Sequence, residues 1–335
     1  MSTLPSKPAA QESPAATLGP FRLSPFFSPR PWGRPDLKPW YSDTGTSELV
    51  GEAWLTGPDC KVEAGQGNSH IAGRKLNDIA TEFQSTLLSP GAVAEFPLLV
   101  KILFPNEKLS VQVHPNDAEA QAAGQPRGKT ECWYVLEAEP GATIALGLKP
   151  GTTIEKLAAA AVSPDKDHNM EAYMEWVPVS VGDMIFVDAG TVHAIGHGVV
   201  LLETQQTCDI TYRLYDYGRP RELHLDKGLK VVKLHTAAGK VAPQKKDGFT
   251  RLIEQKYFIV DRFDLAAETS ISLNDVLGLS QCLVPLSGSG SVQTDAGSID
   301  LVAGEAAIIP ATSSSITVSA TTPLSFVRCF EPLHT

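Results

Sequence analysis

Two short segments carry residue types that hold metals. Leu109-Ser110-Val111-Gln112-Val113-His114-Pro115-Asn116-Asp117 alternates polar and β-branched residues. Glu131 follows seventeen positions after His114, inside Gly128-Lys129-Thr130-Glu131-Cys132-Trp133-Tyr134-Val135. Alternation and β-branched or aromatic content read both as strands. Because a strand repeats its facing every second residue, Ser110, Gln112 and His114 share one face, and Lys129, Glu131 and Trp133 share another. One face offers an amide oxygen and an imidazole, the other a carboxylate beside a cation. That is the donor set of a hard-to-borderline metal site, and neither face suits a dry core.

The elements that must present these residues are predominantly strands. Gly (27) and Pro (25) punctuate many short apolar runs, a pattern that favours an all-β barrel or sandwich over a wound α/β sheet. Expected strands cover 96–104, 109–114, 131–138, 143–148, 173–179, 184–187, 199–204 and 210–215. Short helices are expected near 77–83, 118–123 and 154–162. A second β-rich block begins near Phe249, with runs at 257–265, 281–286, 290–294 and 317–327. Between the blocks, Gly239 to Gly248 carries Lys240, Pro243, Lys245, Lys246 and Asp247 and reads as a surface linker.

A chain of 335 residues, 42% hydrophobic, has room for about two domains. Its net charge of -10 argues against nucleic acid or an anionic membrane as the partner. No apolar run reaches membrane-span length. The five cysteines are dispersed and form no CxxC pair, as expected of buried free thiols in a reducing compartment. Residues 1–20, rich in Ala, Pro and Ser, lack the apolar centre of a signal peptide and read as a disordered extension. The expected location is the cytoplasm, and the expected assembly a monomer or homodimer.

One motif recurs. Val181-Gly182-Asp183-Met184-Ile185-Phe186-Val187-Asp188-Ala189-Gly190-Thr191-Val192-His193 in the first block matches Ala303-Gly304-Glu305-Ala306-Ala307-Ile308-Ile309-Pro310-Ala311-Thr312-Ser313-Ser314-Ser315 in the second. A Gly-acid turn, an apolar strand and a small-residue turn repeat in register, with Ser315 where the first copy has His193. This resembles the second conserved motif of the cupin superfamily, a jelly-roll barrel that often holds a metal. The resemblance implies two barrels: a catalytic one over 21–238 with helical insertions, and a degenerate one over 239–335. The mouth of such a barrel can gather Gln112, His114, Glu131 and His193. Two imidazoles, a carboxylate and an amide oxygen suit Zn²⁺, one ion per chain, and are compatible with Fe²⁺, Mn²⁺ or Co²⁺.

A narrower resemblance covers Phe21 to the C-terminus. Segments 96–103, 110–117, 128–134, 190–196, 202–206, 209–217 and 221–224, with Pro31-Trp32-Gly33 and Gly51-Glu52-Ala53-Trp54 upstream, are similar to type I mannose-6-phosphate isomerases of the short bacterial form. The resemblance implies zinc on Gln112, His114, Glu131 and His193. It implies a catalytic role for Arg213, twenty residues after His193, with Asp209 and Lys129 beside it. Lys101, Ser110, Trp32 and Glu52 are expected to meet the substrate. The implied reaction interconverts mannose 6-phosphate and fructose 6-phosphate.

The residues suit that reaction. Moving a proton between C1 and C2 through a cis-enediol(ate) needs an electrophile for the developing oxyanion, a base, and cations for the phosphate. The base is open among a metal-bound water, an imidazole and a carboxylate. Lys101, Lys129 and Arg213 are the candidate cations; Lys129 shares a strand face with Glu131, and Lys101 interrupts a strongly apolar strand, so both are expected to point inward. His197, in a glycine-flanked turn, reads as a loop residue near the site. Trp40 and Trp54 read as packing aromatics. Two other functions compete: a regulatory sugar-phosphate-binding cupin with weak or no catalysis, and a different metal cupin enzyme such as a non-haem iron oxygenase. The first has no need of a complete ligand set with Arg213, and the second leaves the Asp209–Arg213 segment without a role.

Overall fold

A computed structural model describes residues 18–64, 68–163 and 169–333. Most of the expected 1–20 extension lies outside them, but Leu18 is buried and a Cβ at Gly19 would stand 2.7 Å from the Ala296 carbonyl oxygen. Residues before Phe21 are therefore already packed, Leu18 in the core and Gly19 against Ala296 of the C-terminal block.

The protein is mainly β, with two barrels standing back to back. In the first, a seven-stranded sheet runs Gly239–Val241, Met184–Val187, Glu131–Ala138, Val199–Gln206, Leu98–Leu103, Val50–Trp54 and Phe26–Arg34. It faces a five-stranded sheet, Tyr212–Tyr215, Val111–Val113, His193–Ile195, Thr143–Leu148 and Met174–Pro178. In the second, an eight-stranded sheet faces the four strands Ser270–Ser272, Ile316–Ala320, Gly290–Thr294 and Gly297–Leu301. The helices are short: Leu76–Glu82, Gln84–Leu87, Asp117–Ala122, Ile154–Ala161 and Leu225–Val231. Asp117–Ala122 starts with a capping box between Asn116 and Glu119, which secures the chain just after His114.

The largest sheets pack on each other, so their strands are buried on both faces. Along Val199–Gln206, Val200 and Leu202 join the core between the barrels, while Val199 and Leu201 face into the first barrel. Leu98, Val100 and Ile102 turn one way and Lys101 and Leu103 the other. Double burial explains why these strands read as near-continuous apolar runs, and why a charge within one points into a barrel.

The blocks are less separate than the sequence suggests. Phe21–Ser24 pairs with Ala306–Ile309 of the second barrel, Phe21 opposite Ile308. Gly239–Val241, read as linker, adds an edge strand to the first barrel, with Gly239 opposite Phe186. Edge pairing uses backbone groups alone, so polar composition hid it. The run 317–327 is two strands, Ile316–Ala320 and Leu324–Phe330. The repeated Gly-acid turn is structural: Gly182 and Gly304 have φ of 91° and 78°, a region open to glycine at little cost.

Candidate active site

Pairing lines up the polar residues across the first barrel. Val111–Val113 lies between His193–Ile195 and Tyr212–Tyr215, so Gln112 stands opposite His193 on one side and Arg213 on the other. On the facing sheet, Glu203 stands opposite Lys101 and Trp133. The two rows meet at a cavity of about 440 Å³ lined by Trp32, Glu52, Lys101, Ser110, Gln112, Lys129, Asp209 and Arg213.

His114, Glu131 and His193 are buried together, their ligand atoms all within 4.8 Å of one another. His193 Nε2 lies 3.4 Å from Glu131 Oε1, His114 Nε2 3.7 Å from Glu131 Oε2, and Gln112 Nε2 3.2 Å from His193 Nε2. Ligand atoms around a tetrahedral Zn²⁺ with bonds of about 2.0–2.1 Å stand about 3.4 Å apart, so the spacing suits such an ion. His114 Nδ1 contacts the Ile210 carbonyl at 2.8 Å and His193 Nδ1 the Thr191 carbonyl at 2.9 Å. Each outer nitrogen therefore carries the proton, leaving Nε2 as a lone-pair donor. His114 Nε2 and Glu131 Oε1 are buried without a hydrogen-bond partner, which leaves their lone pairs free to bind a cation. Burial, then Lys129, holds His114 well below the usual imidazole range. Burial brings His193 down to about 4, with Lys129 adding to it. Both rings are thus neutral near pH 7, the form that binds metal. Among the described residues no other cluster of three His, Cys, Asp or Glu is close enough to hold an ion.

Charges surround this cluster. Lys129 Nζ is 3.0 Å from Glu131 Oε2. Lys101, buried as expected, lies 2.7 Å from Asp209, 3.6 Å from Glu203 and 3.8 Å from Glu52, with its ammonium 4.5 Å above the Trp54 ring. Burial opposes charge on Lys101, but Asp209 and Glu52 overcome it and raise its pKa. Burial likewise opposes charge on Glu52 and Asp209, and Lys101 reverses the balance, so both are held below the usual carboxylate range. Arg213 donates to the Glu222 carbonyl, while its buried Nε makes no hydrogen bond and lies 4.0 Å from Asp216 Oδ2. Burial lowers its pKa, and the neighbouring Arg221 lowers it further.

The strand pattern pointed to Lys101 but passed over Glu203, which lines the same cavity. Its carboxylate accepts from Trp133 Nε1 at 3.1 Å. Burial pushes it up to about 7 against the pull of Lys129. The signal was the same as for Lys101: a lone charge in an apolar run, Leu201-Leu202-Glu203. Arg30 and Arg221 also line the cavity and were missed. Arg30 grips Glu52 through two bonds of 3.0 Å, and Arg221 grips Asp216 through two of 2.7 Å. His197 lies apart from the site, exposed and lining a separate cavity with Arg34 and Asp36. Trp40 donates to Glu137, and Trp54 to Glu52.

A cavity whose Gln112 and Lys129 touch the buried His114–Glu131–His193 cluster, with several cations along its walls, suits a small, anionic, oxygen-rich substrate. The comparisons with known proteins agree. The family model for phosphomannose isomerase type I, catalytic domain, matches residues 21–149. The mannose-6-phosphate isomerase ManA of Bacillus subtilis (strain 168) is 36% identical over 269 residues, covering 76% of this chain and 82% of that protein. The mannose-6-phosphate isomerase of Streptococcus mutans serotype c is 32% identical, covering 85% of this chain and 90% of the relative. The crystal structure of the mannose 6-phosphate isomerase from Bacillus subtilis superposes with a TM-score of 0.79 at 27% identity, covering 93% of this chain and 99% of that one.

Proposed function

The chain belongs to the type I phosphomannose isomerase family and interconverts mannose 6-phosphate and fructose 6-phosphate, and from that premise we propose how its residues divide the work. The reaction carries a proton between C1 and C2 through a cis-enediol(ate). Gln112, His114, Glu131 and His193 would hold one Zn²⁺ per chain, Gln112 through its amide oxygen. When bound, the ion supplies positive charge against the enediolate oxygens.

Glu203 is the best-matched base: its pKa of about 7 is near the optimum for giving and taking a proton at neutral pH. Arg213, which lines the cavity, stabilises the charge that develops on oxygen, and Lys129 assists. Asp209 holds Lys101 in place. Ser110, Trp32 and Glu52 shape the sugar pocket. The phosphate sits toward Arg30 and Arg221. Catalysis resides in 21–238, and 239–335 serves to cover that block's apolar face. All five cysteines are free and buried, which favours a reducing compartment, the cytoplasm. No helix among the described residues is long and apolar enough to cross a membrane.

The observation that carries this reading is the buried His114–Glu131–His193 cluster, with open ligand atoms, beside a cation-lined cavity. The test is metal analysis of purified protein together with turnover of mannose 6-phosphate before and after chelation. One zinc per chain, and activity lost on chelation and restored by zinc, are expected. Full activity in metal-free protein would overturn the metal role.

A further inference from the structure

The loops that deliver the metal ligands are tied together through one carboxylate, and a side chain of the other barrel holds that carboxylate. Asp117, three residues after His114, accepts from the Gly128 backbone N–H and from Gln206 Nε2, both at 2.9 Å on Oδ1. Gln206 Oε1 in turn accepts from the Thr130 N–H at 3.0 Å, and the Lys129 N–H donates to the Pro115 carbonyl at 3.0 Å. The segment that presents Lys129 and Glu131 is thereby fastened to the turn that follows His114. There is no slack: a Cβ on Gly128 would lie 2.4 Å from the Asn116 carbonyl carbon. Movement of Asp117 must move Gly128 with it.

The remaining Asp117 oxygen, Oδ2, accepts from Tyr257 Oη at 2.5 Å. Tyr257 sits in the hairpin turn between Thr250–Glu254 and Ile259–Leu265 of the second barrel. The turn is closed by a bond of 3.0 Å from Gln255 N–H to the Phe258 carbonyl. Phe258 is fully buried in the core between the barrels, edge-on to Phe186. The hydroxyl is thus presented from a pinned position.

We propose that Tyr257 is a positioning residue for the isomerase. Its hydroxyl sets Asp117, Asp117 sets the 128–130 backbone, and that backbone aims Lys129 and Glu131. The proposal rests on the isomerase reading above for its kinetic consequence, but not for its structural one. It gives the second barrel a part in turnover, although that barrel carries none of the reacting groups. A misaimed ligand or cation lowers the rate of the chemical step without weakening substrate binding to the same degree.

The experiment compares full-length wild type with Tyr257→Phe and Arg262→Met. The second variant removes a different contact between the barrels, the bond from Arg262 to the Tyr134 hydroxyl. In metal-loaded protein, Tyr257→Phe is expected to lower kcat about tenfold, the scale of losing a residue that orients metal ligands. KM for mannose 6-phosphate should stay within about twofold, and metal content should be unchanged. In metal-free protein, hydrogen exchange at Gly128 and Thr130 should quicken in Tyr257→Phe and not in Arg262→Met. Adding Asp117→Asn to Tyr257→Phe should cost little more than the stronger single change. If Tyr257→Phe yields insoluble protein, Asp117→Asn carries the same expectations, because it leaves the hairpin in place. Normal kcat in Tyr257→Phe, unaltered exchange at 128–130, or an equal loss in Arg262→Met would overturn the proposal. A wild type inactive on mannose 6-phosphate would sink the isomerase reading instead and leave the exchange result standing.

Discussion

Within the first barrel Lys101 faces Glu203 across neighbouring strands; at the same register in the second barrel the pair is Asp261 and Arg328, with the signs exchanged. Glu131 stands opposite Val187, and Gln281 opposite Ile309 in the matching place. The motif that ends in His193 ends in Ser315, which is exposed. The second interior is crossed by an ion-pair network packed on aromatic rings. Arg328 is held at 2.7 Å by both Asp261 and Asp275, lies 5.1 Å from the Phe263 ring, and Phe263 stacks on Phe326 at 4.8 Å. The first interior keeps a cavity, and His114 Nε2, Glu131 Oε1 and Arg213 Nε stay buried without hydrogen-bond partners. One scaffold thus supports two outcomes. In the second barrel the buried charges pair with one another and stack on aromatic rings, although Gln281 Oε1 and Arg328 Nε also lack hydrogen-bond partners; in the first they line a cavity that is open to a ligand.

That contrast can be broken in four ways, from the largest effect down. His114→Ala or His193→Ala should abolish both metal binding and turnover, read by metal analysis and isomerase assay; retained zinc with retained rate would move the site elsewhere. Glu203→Gln should lower kcat by about 10²–10⁴-fold, the range for a lost general base. Wild-type kcat should rise with pH as this carboxyl ionises, its pKa having been pushed up to about 7 by burial; the Gln variant should lose that limb. The same shift has a stability sign. A raised carboxyl favours the folded state below its unfolded value of about 4.3, and that contribution is lost as pH rises through about 7. Metal-free Glu203→Gln should therefore lose less stability than wild type between pH 5 and pH 8, as read from urea midpoints.

Arg213→Ala should lower kcat at least about a hundredfold with metal content unchanged, the scale of one preorganised charge-stabilising donor. Normal kcat with a much higher KM would place Arg213 at the phosphate and leave Lys129 to stabilise the transition state. The smallest kinetic effects belong to the second barrel. Arg328→Met should cost about 1.5–3 kcal/mol of stability, the scale of a lost hydrogen bond to a charged group, because Asp261 keeps its ion pair with Arg251, with kcat held in the folded fraction. Ser315→Ala should change neither. A rate loss in Ser315→Ala would show that the second barrel keeps chemistry of its own.

His114 and Glu131 of the buried cluster were legible because alternation exposed them. In Leu109–His114 and Glu131–Trp133 the polar residues take one face, so face-sharing could be read without any knowledge of the partner strand. Lys101 was legible as an intrusion in an apolar run. Glu203 gave the same signal, but Val199–Gln206 is buried on both faces and has no alternation to sort its residues. The exchange of Lys101 and Glu203 for Asp261 and Arg328 was invisible for another reason: it is a property of two paired strands, and pairing partners far apart in sequence leave no local trace. Phe21–Ser24 and Gly239–Val241 escaped for that reason too.

The pairing of Phe21–Ser24 with Ala306–Ile309 bears on how the protein is made. During synthesis the strand carrying Phe21 and Leu23 emerges well before its partner, Phe21 preceding Ile308 by 308 − 21 = 287 residues. Until then those two apolar side chains lack their native cover, and the eight-stranded sheet cannot close. A pairing of such long sequence separation costs loop-closure entropy before any contact rewards it, which slows folding. That seam is therefore among the last parts of the molecule to close, however early its first strand is made.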